Sequence, residues 1–257
     1  MELAGKIAVV TGGASGIGAS LARRFWREGA AGVVVADLDG LGAQAVAASL
    51  GDVGLGVRCD VRQESDIQAL VLAARKRFGR IDIYFSNAGV PPGKGGVALD
   101  DDIWERMWQV HCMAHVWAAR AVIPAMLEQG GGYFALTASA AGLLNIVESA
   151  PYAATKHAAV GLAEWLRIAH GRQGLRVSCL CPQAVATGMT REAGAGSAEG
   201  DAMVQPDDVA EAVVRGMREE TFLLLSHPQT SAYLQTKVQD IDRWLGGMQK
   251  LHARHGG

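Results

Sequence analysis

No run of basic residues, no paired-cysteine motif and no secretory leader stands out in this 257-residue chain. The 24 Lys and Arg are scattered among 26 Asp and Glu, for a net charge of −2, which argues against nucleic acid as a partner. Cys59, Cys112, Cys179 and Cys181 form no CxxC pair and each sits in an apolar run, so they are expected to be reduced core residues of a cytoplasmic protein. The chain enters the strand-like run Ile7-Ala8-Val9-Val10 with no basic n-region or cleavage site before it, so no secretory or membrane segment is expected. The longest uncharged stretch, 129–147, is interrupted by Gly130-Gly131-Gly132 and Thr137-Ala138-Ser139 and reads as turn, strand and loop rather than a membrane helix.

What is present is apolar material for one sizeable core, 49% hydrophobic against 19% charged, and many glycines, 33, as tight strand-to-helix turns require. Strands are predicted at 6–10, 32–37, 54–60, 81–86, 132–138, 176–181 and 221–226. Most are continuously apolar, as in a parallel sheet covered on both faces. Between them lie helical stripes, such as Ile17, Leu21 and Phe25 before Gly29, and Ile67, Leu70, Val71, Ala74 and Phe78. The alternation predicts an α/β fold: one domain over 1–257, a doubly wound parallel sheet of about seven strands in three α/β/α layers. Two segments break the rhythm. Residues 188–204 lack periodicity and are expected to be a substrate loop, and 231–253 an added C-terminal helix.

The first strand ends in Thr11-Gly12-Gly13-Ala14-Ser15-Gly16-Ile17-Gly18, and a helix follows. Glycines there let backbone approach a pyrophosphate, which the positive end of the helix then faces. Alone such a turn is a moderate signal; its place between strand and amphipathic helix strengthens it. The second strand ends at Asp37, about 20 residues on, where a carboxylate can accept hydrogen bonds from ribose hydroxyls and would repel a 2′-phosphate. Ser15 and Leu38 offer that phosphate no cation and Asp39 adds negative charge, so NAD is expected rather than NADP. The competing role for Asp37 is to cap the next helix.

Tyr152 and Lys156, just after Pro151, share one helical face, which brings an ammonium near a phenol and favours the phenolate. A Tyr so placed could exchange a proton with an alcohol, although Tyr-x3-Lys by itself is a weak pattern. Thr11 to Gly18, Asn87-Ala88-Gly89, and Ser139 followed thirteen residues later by Tyr152 and then Lys156 together resemble the short-chain dehydrogenase/reductase family, over 3–189. The resemblance implies a Rossmann-like fold and an NAD(H)-dependent enzyme interconverting a secondary alcohol and a ketone. It implies that Ser139 binds the reacting oxygen, Tyr152 is the general acid/base, and Lys156 holds the nicotinamide ribose and lowers the Tyr pKa. Gly12, Ser15, Gly16, Ile17, Gly18, Asp37 and Leu38 would hold the adenosine and pyrophosphate, Asp60 and Val61 the adenine. Asn87, Ala88 and Gly89 would brace the sheet beside the cofactor. Pro182 to Thr187 would clasp the carboxamide through the Val185 backbone and the Thr187 hydroxyl.

The chain departs from the family in three places. His111 stands where a catalytic Asn is usual, Pro182-Gln183 where Pro-Gly is usual, and Phe222-Leu223-Leu224-Leu225 leads into a polar helix in place of a Gly-rich end. A neutral His111 could sit in a proton relay with Lys156 or only fill space; it also leaves open a sensor or scaffold that has lost catalysis. His111 and His115 stand four apart, but no third ligand is evident and no metal is expected. By analogy the substrate wall includes Val90, Pro91, Leu143, Leu144, Val147, Gln183 and Met189, which suits a medium-sized lipophilic alcohol or ketone. Leu234, Val238, Ile241, Leu245 and Met248 form a helical stripe in the tail, to be buried on its own subunit or a neighbour. A homodimer or homotetramer is expected from the family.

Overall fold

The computed structural model describes residues 1–193 and 202–255. Seven parallel strands form one sheet in the order β3-β2-β1-β4-β5-β6-β7. They are β1 (Ile7–Thr11), β2 (Gly32–Asp37), β3 (Gly54–Arg58), β4 (Ile83–Ser86), β5 (Gly132–Thr137), β6 (Leu175–Leu180) and β7 (Leu223–Leu224). β7 is shorter than the expected 221–226 because only Leu223 and Leu224 come into register with Cys179 and Leu180 at this edge.

Side chains alternate between two cores along each strand, as the two-residue period of a strand demands. Val9 and Tyr84 point to the layer of α3 (Glu64–Phe78), α5 (Ala114–Glu128) and α7 (Ala150–His170). Ala8, Val10 and Phe85 point to the layer of α1 (Gly16–Arg27), α2 (Gly40–Ala48) and α9 (Pro206–Arg218). The strand order reverses between β1 and β4, so a crevice opens beyond their C-terminal ends, where α/β sheets bind ligands.

α4 (Asp101–Trp108), a π-helical turn (Gln109–Met113) and α5 make one rod. By length and composition this rod could cross a membrane. Met107, Val110, Ala118, Val122 and Met126 are instead buried in the protein, as in a core helix. All four cysteines are buried free thiols.

Two expectations are corrected. The 188–204 segment begins as a helix, α8 (Gly188–Ala193), and ends with Val204 pairing beside Val185; 194–201 lies outside the described residues. The tail is not one helix over 231–253 but two, α10 (Gln229–Gln239) and α11 (Ile241–His255). Asp240 between them is extended, and its carboxylate accepts the Arg243 N–H at 2.9 Å, an N-cap that starts a new helix. The apolar stripe is broken there, leaving Val238, Ile241 and Leu245 exposed. The pair instead latches onto main chain: Lys237 Nζ, Trp244 Nε1 and His252 Nδ1 donate to the carbonyls of Leu143, Leu144 and Val147 at 2.6, 3.3 and 3.0 Å. α6 (Ala141–Leu144) therefore lies under the tail.

Candidate active site

A cleft of about 420 Å³ runs along the C-terminal strand ends, from Asp37 and Asp60 at one extreme to Ser139, Tyr152 and Gln183 at the other. Every cofactor residue expected from the sequence lines it: Gly12, Ser15, Gly16, Ile17, Gly18, Asp37, Leu38, Asp60, Val61, Asn87, Ala88, Gly89, Tyr152, Lys156, Pro182, Val185 and Thr187.

At the Asp37 end of the cleft, where the resemblance implies the adenosine, the backbone does most of the shaping. A Cβ on Gly18 would stand 2.0 Å from the Gly12 carbonyl oxygen, so only glycine lets α1 start this close to β1. Gly12 itself has φ +66°. Ser15, the N-cap of α1, makes no side-chain cap, and the helix turns its uncapped N-terminus toward the cleft. Asp37 does not cap α2; Asp39 does, accepting from Gly42 N–H at 3.0 Å. The Asp37 carboxylate instead accepts from Ala14 N–H at 3.0 Å and braces the glycine turn. Asp60 is paired with Arg62 at 2.6 Å, which holds its carboxyl below the usual range. Arg62 lines the cleft as well and was not anticipated.

In the middle, Asn87 ties three strands together. Its Nδ2 donates to Thr11 O at 3.0 Å, its N–H to the Thr11 hydroxyl at 2.9 Å, and its Oδ1 accepts from the Thr137 hydroxyl at 3.0 Å.

At the other end, where the resemblance implies the reaction, Lys156 is buried and donates to the Thr137 carbonyl at 3.1 Å. Burial pulls its pKa down to about 8, against the ordinary 10.5. Its ammonium lies 5.5 Å from the centroid of the Tyr152 ring. The expected lowering of the Tyr152 pKa is outweighed here: burial raises the phenol and only the nearby Ser139 hydroxyl draws it back. The Ser139 side chain accepts from Ala141 N–H at 3.1 Å, which turns its oxygen toward the start of α6.

His111 is fully buried in the π turn, so the helix widens there with His at the position where the resemblance implies an Asn. Its Nε2 accepts from Val90 N–H at 3.2 Å. A main-chain N–H can only donate, so the proton sits on Nδ1, 3.1 Å from the Thr155 hydroxyl, which in turn donates to Pro151 O at 2.8 Å. Burial first, and Lys156 second, push its pKa well below 6.5. The ring meets Tyr152 edge-on at 5.2 Å. Both nitrogens are thus committed to groups other than Lys156, and His111 joins Val90 to Thr155 of α7. His115, one turn on, bonds Ser86 instead, at 2.7 Å.

Val90, Gln183 and Met189 line the cleft, but Leu143 does not; it packs against the core with Phe222 and Leu223. Pro91, Leu144 and Val147 are also outside the lining. Leu143 and Leu144 face the core and the Leu143, Leu144 and Val147 carbonyls meet the tail, and nothing in the sequence pattern distinguishes that from a substrate wall. Thr190 was missed: its hydroxyl donates to Val185 O at 2.6 Å and accepts from Thr187 N–H at 3.0 Å, fixing the 185–187 turn.

Fold and cleft together define a Rossmann-like α/β protein. A family model described as short chain dehydrogenase matches residues 6–198, and the chain belongs to the short-chain dehydrogenase/reductase family. It is 39% identical over 254 residues to 1-deoxy-11-beta-hydroxypentalenate dehydrogenase from Streptomyces exfoliatus, covering 95% of this chain and 90% of that one. It is 40% identical over 195 residues to momilactone A synthase from Oryza sativa subsp. japonica, covering 75% and 71%. Among solved structures it is similar to a short-chain dehydrogenase/reductase from Burkholderia phymatum in complex with NAD, with a TM-score of 0.85, 30% identity and coverage of 94% and 96%. A 3-ketoacyl-(acyl-carrier-protein) reductase from Brucella melitensis complexed with NADH gives a TM-score of 0.79 at 30% identity, covering 87% and 96%.

Proposed function

We propose that this oxidoreductase uses NAD(H) to interconvert a secondary alcohol and a ketone, with Tyr152 as general acid/base. The observation that carries this reading is a single cleft that joins Asp37 and the glycine turn to Lys156, Tyr152 and Ser139. When bound, the nicotinamide supplies the hydride chemistry. The residues present fit that group. The Gly12–Gly18 turn admits a pyrophosphate and Asp37 offers a carboxylate to ribose hydroxyls. Arg62, the cation lining that end, is occupied by Asp60, and Leu38 is apolar, so among the described residues lining that end a 2′-phosphate would meet Asp37 and no free cation.

The chain's own part is to hold the reacting oxygen and move one proton. Ser139 would donate to that oxygen, and Tyr152 Oη would take the hydroxyl proton in oxidation or return it in reduction. Lys156, anchored on Thr137 at 3.1 Å, would hold the ribose. Val90, Val110 and Met189 give the lining apolar side chains for a lipophilic alcohol or ketone, beside the polar Gln183 and the Arg106 cation; relatives named as dehydrogenases and reductases agree with that reaction class. Buried free thiols suit a cytoplasmic setting, and the family analogy gives a homodimer or homotetramer acting on small molecules, without nucleic acid or membrane.

The test is a panel of secondary alcohols and ketones with NAD(H) and NADP(H), followed at the reduced-nicotinamide absorbance. Turnover is expected with NAD at least about tenfold better by kcat/KM, narrowing in Asp37→Ala. Equal use of the two cofactors would refute the cofactor assignment, and NAD binding without turnover on any member would refute the enzyme.

A further inference from the structure

The C-terminal edge of the sheet reaches back into the wall of the cleft. His227, 1% exposed, follows β7 and lies against Gln183 and Ala184. Gln183 N–H donates to Nδ1 at 3.3 Å, the Ser226 hydroxyl lies 2.9 Å from the same nitrogen, and Nε2 stands 3.2 Å from the Ala184 carbonyl. The N–H can only donate and the carbonyl can only accept, so Nδ1 is bare and Nε2 carries the proton. One imidazole thus satisfies an amide and a carbonyl of neighbouring residues, as an adjacent strand would, at a point where β7 has already ended. From the other side Val204 N–H donates to the same Ala184 carbonyl at 3.3 Å. The Gln183 side chain adds a third tie: its Nε2 donates to the hydroxyl of Thr230, fully buried in the first turn of α10, at 2.9 Å.

Two departures from the family pattern therefore meet in one contact. A glycine at 183 would have no side chain to reach α10, and without the tail there would be no Thr230 to reach. Gln183 and Val185 line the reacting end of the cleft, so what fixes 183–185 fixes that wall.

We infer that His227 is a positioning residue for the nicotinamide end of the cofactor cleft, and that with Gln183 and Thr230 it makes the C-terminal segment part of the cofactor clasp. The inference rests on the function proposed above, since the group held by this wall is taken to be a nicotinamide. NADH and ADP-ribose, which lacks the nicotinamide, separate the two ends of the cleft.

Titration calorimetry of both ligands into the parent, His227→Phe and His227→Gln tests it. Phe keeps a ring but makes neither hydrogen bond; the amide of Gln offers one acceptor and one donor. His227→Phe should weaken NADH on the order of tenfold and leave ADP-ribose within about twofold, because only the nicotinamide wall has lost its ties. His227→Gln should stay within about threefold of the parent for NADH. Unchanged NADH affinity in His227→Phe, or equal loss of both ligands, overturns the inference. A parent that binds neither ligand overturns the proposed function, and the inference with it. Should circular dichroism show His227→Phe unfolded, Thr230→Val and Gln183→Ala carry the test: each should weaken NADH by about threefold and spare ADP-ribose, and no such split again overturns the inference.

Discussion

The two ends of the cleft are held by different means. The adenosine end is local: eight consecutive residues, Thr11 to Gly18, and a carboxylate on the neighbouring strand that bonds back to Ala14 at 3.0 Å. The reacting end is assembled from afar. Val90 N–H is held by His111, 21 residues away, and Gln183 N–H by His227, 44 residues away. Both imidazoles are buried, both accept from a main-chain N–H, and their protons sit on opposite nitrogens because the obligate donor meets Nε2 in one and Nδ1 in the other. A glycine turn keeps its shape through its own backbone. A wall fixed by distant side chains can be loosened by substitutions that touch neither substrate nor cofactor.

The largest effect expected at the reacting end is from Tyr152→Phe. The change deletes one hydroxyl and leaves the ring against His111. Turnover should fall about 10²- to 10⁴-fold with NADH affinity little changed, measured by steady-state kinetics beside calorimetry. A variant keeping most of its activity would remove Tyr152 from the proton path and leave the reacting end without its chemistry.

Lys156 exposes a cost that the adenosine end does not carry. Its pKa of about 8 in the fold lies below the unfolded 10.5, so between those values the unfolded chain binds more protons and stability rises with pH. At neutral pH the buried charge is a burden of up to about 3 kcal/mol, less the cost of leaving the Thr137 carbonyl without its donor. Lys156→Met should therefore lose activity yet unfold at higher denaturant at pH 7, and the parent's gain in stability from pH 8 to 10.5 should vanish in it. A destabilised Lys156→Met with an unchanged pH slope would show that the Lys156 charge carries no net penalty in the fold.

The same difference explains what could be read from the chain. The glycine turn, Asp37, and the Ser139, Tyr152 and Lys156 spacing are short-range patterns whose chemistry follows from one helix or one turn, and the structure brings all of them to the cleft. His227 and Thr230 carry no such pattern; their role exists only once β7 lies beside β6. Family analogy places Leu143 in the cleft, and an apolar residue there reads alike whether it faces substrate or core. The tail was read as one helix because its apolar spacing of four, three, four, three continues through Asp240, while the break lies in a cap hydrogen bond from Arg243.

A smaller effect is expected from His111. As a positioning residue it should act through Val90 and Thr155. His111→Ala leaves a buried N–H unpaired and should cost roughly tenfold in kcat/KM. His111→Asn can still accept from one neighbour and should cost less. The acid limb of the pH–rate profile should not move in His111→Asn, because burial keeps the imidazole neutral through the working range. A shifted acid limb would restore the relay role that its place beside Lys156 first suggested.

The smallest effect tests how far the long-range construction extends. Deleting residues 241–257 removes the Trp244 and His252 donors to Leu144 and Val147 but keeps Lys237 on Leu143 and leaves His227 and Thr230 in place. Those lost bonds end on carbonyls of a segment outside the cleft, so cofactor affinity and kcat should hold. Stability should fall by about 1–2 kcal/mol, or several degrees in Tm, for two partly exposed hydrogen bonds and the half-buried Trp244. The deletion also removes Ile241 and Leu245, exposed apolar residues of the broken stripe. Light scattering on the same variant then divides the tail's roles. A reduced particle mass would mean that these side chains meet a neighbouring subunit. An unchanged mass with a lower Tm would mean that α11 serves its own chain. An unchanged Tm would show that the carbonyls at 144 and 147 need no donor from the tail, and that the side-chain ties that matter at this edge stop at Thr230.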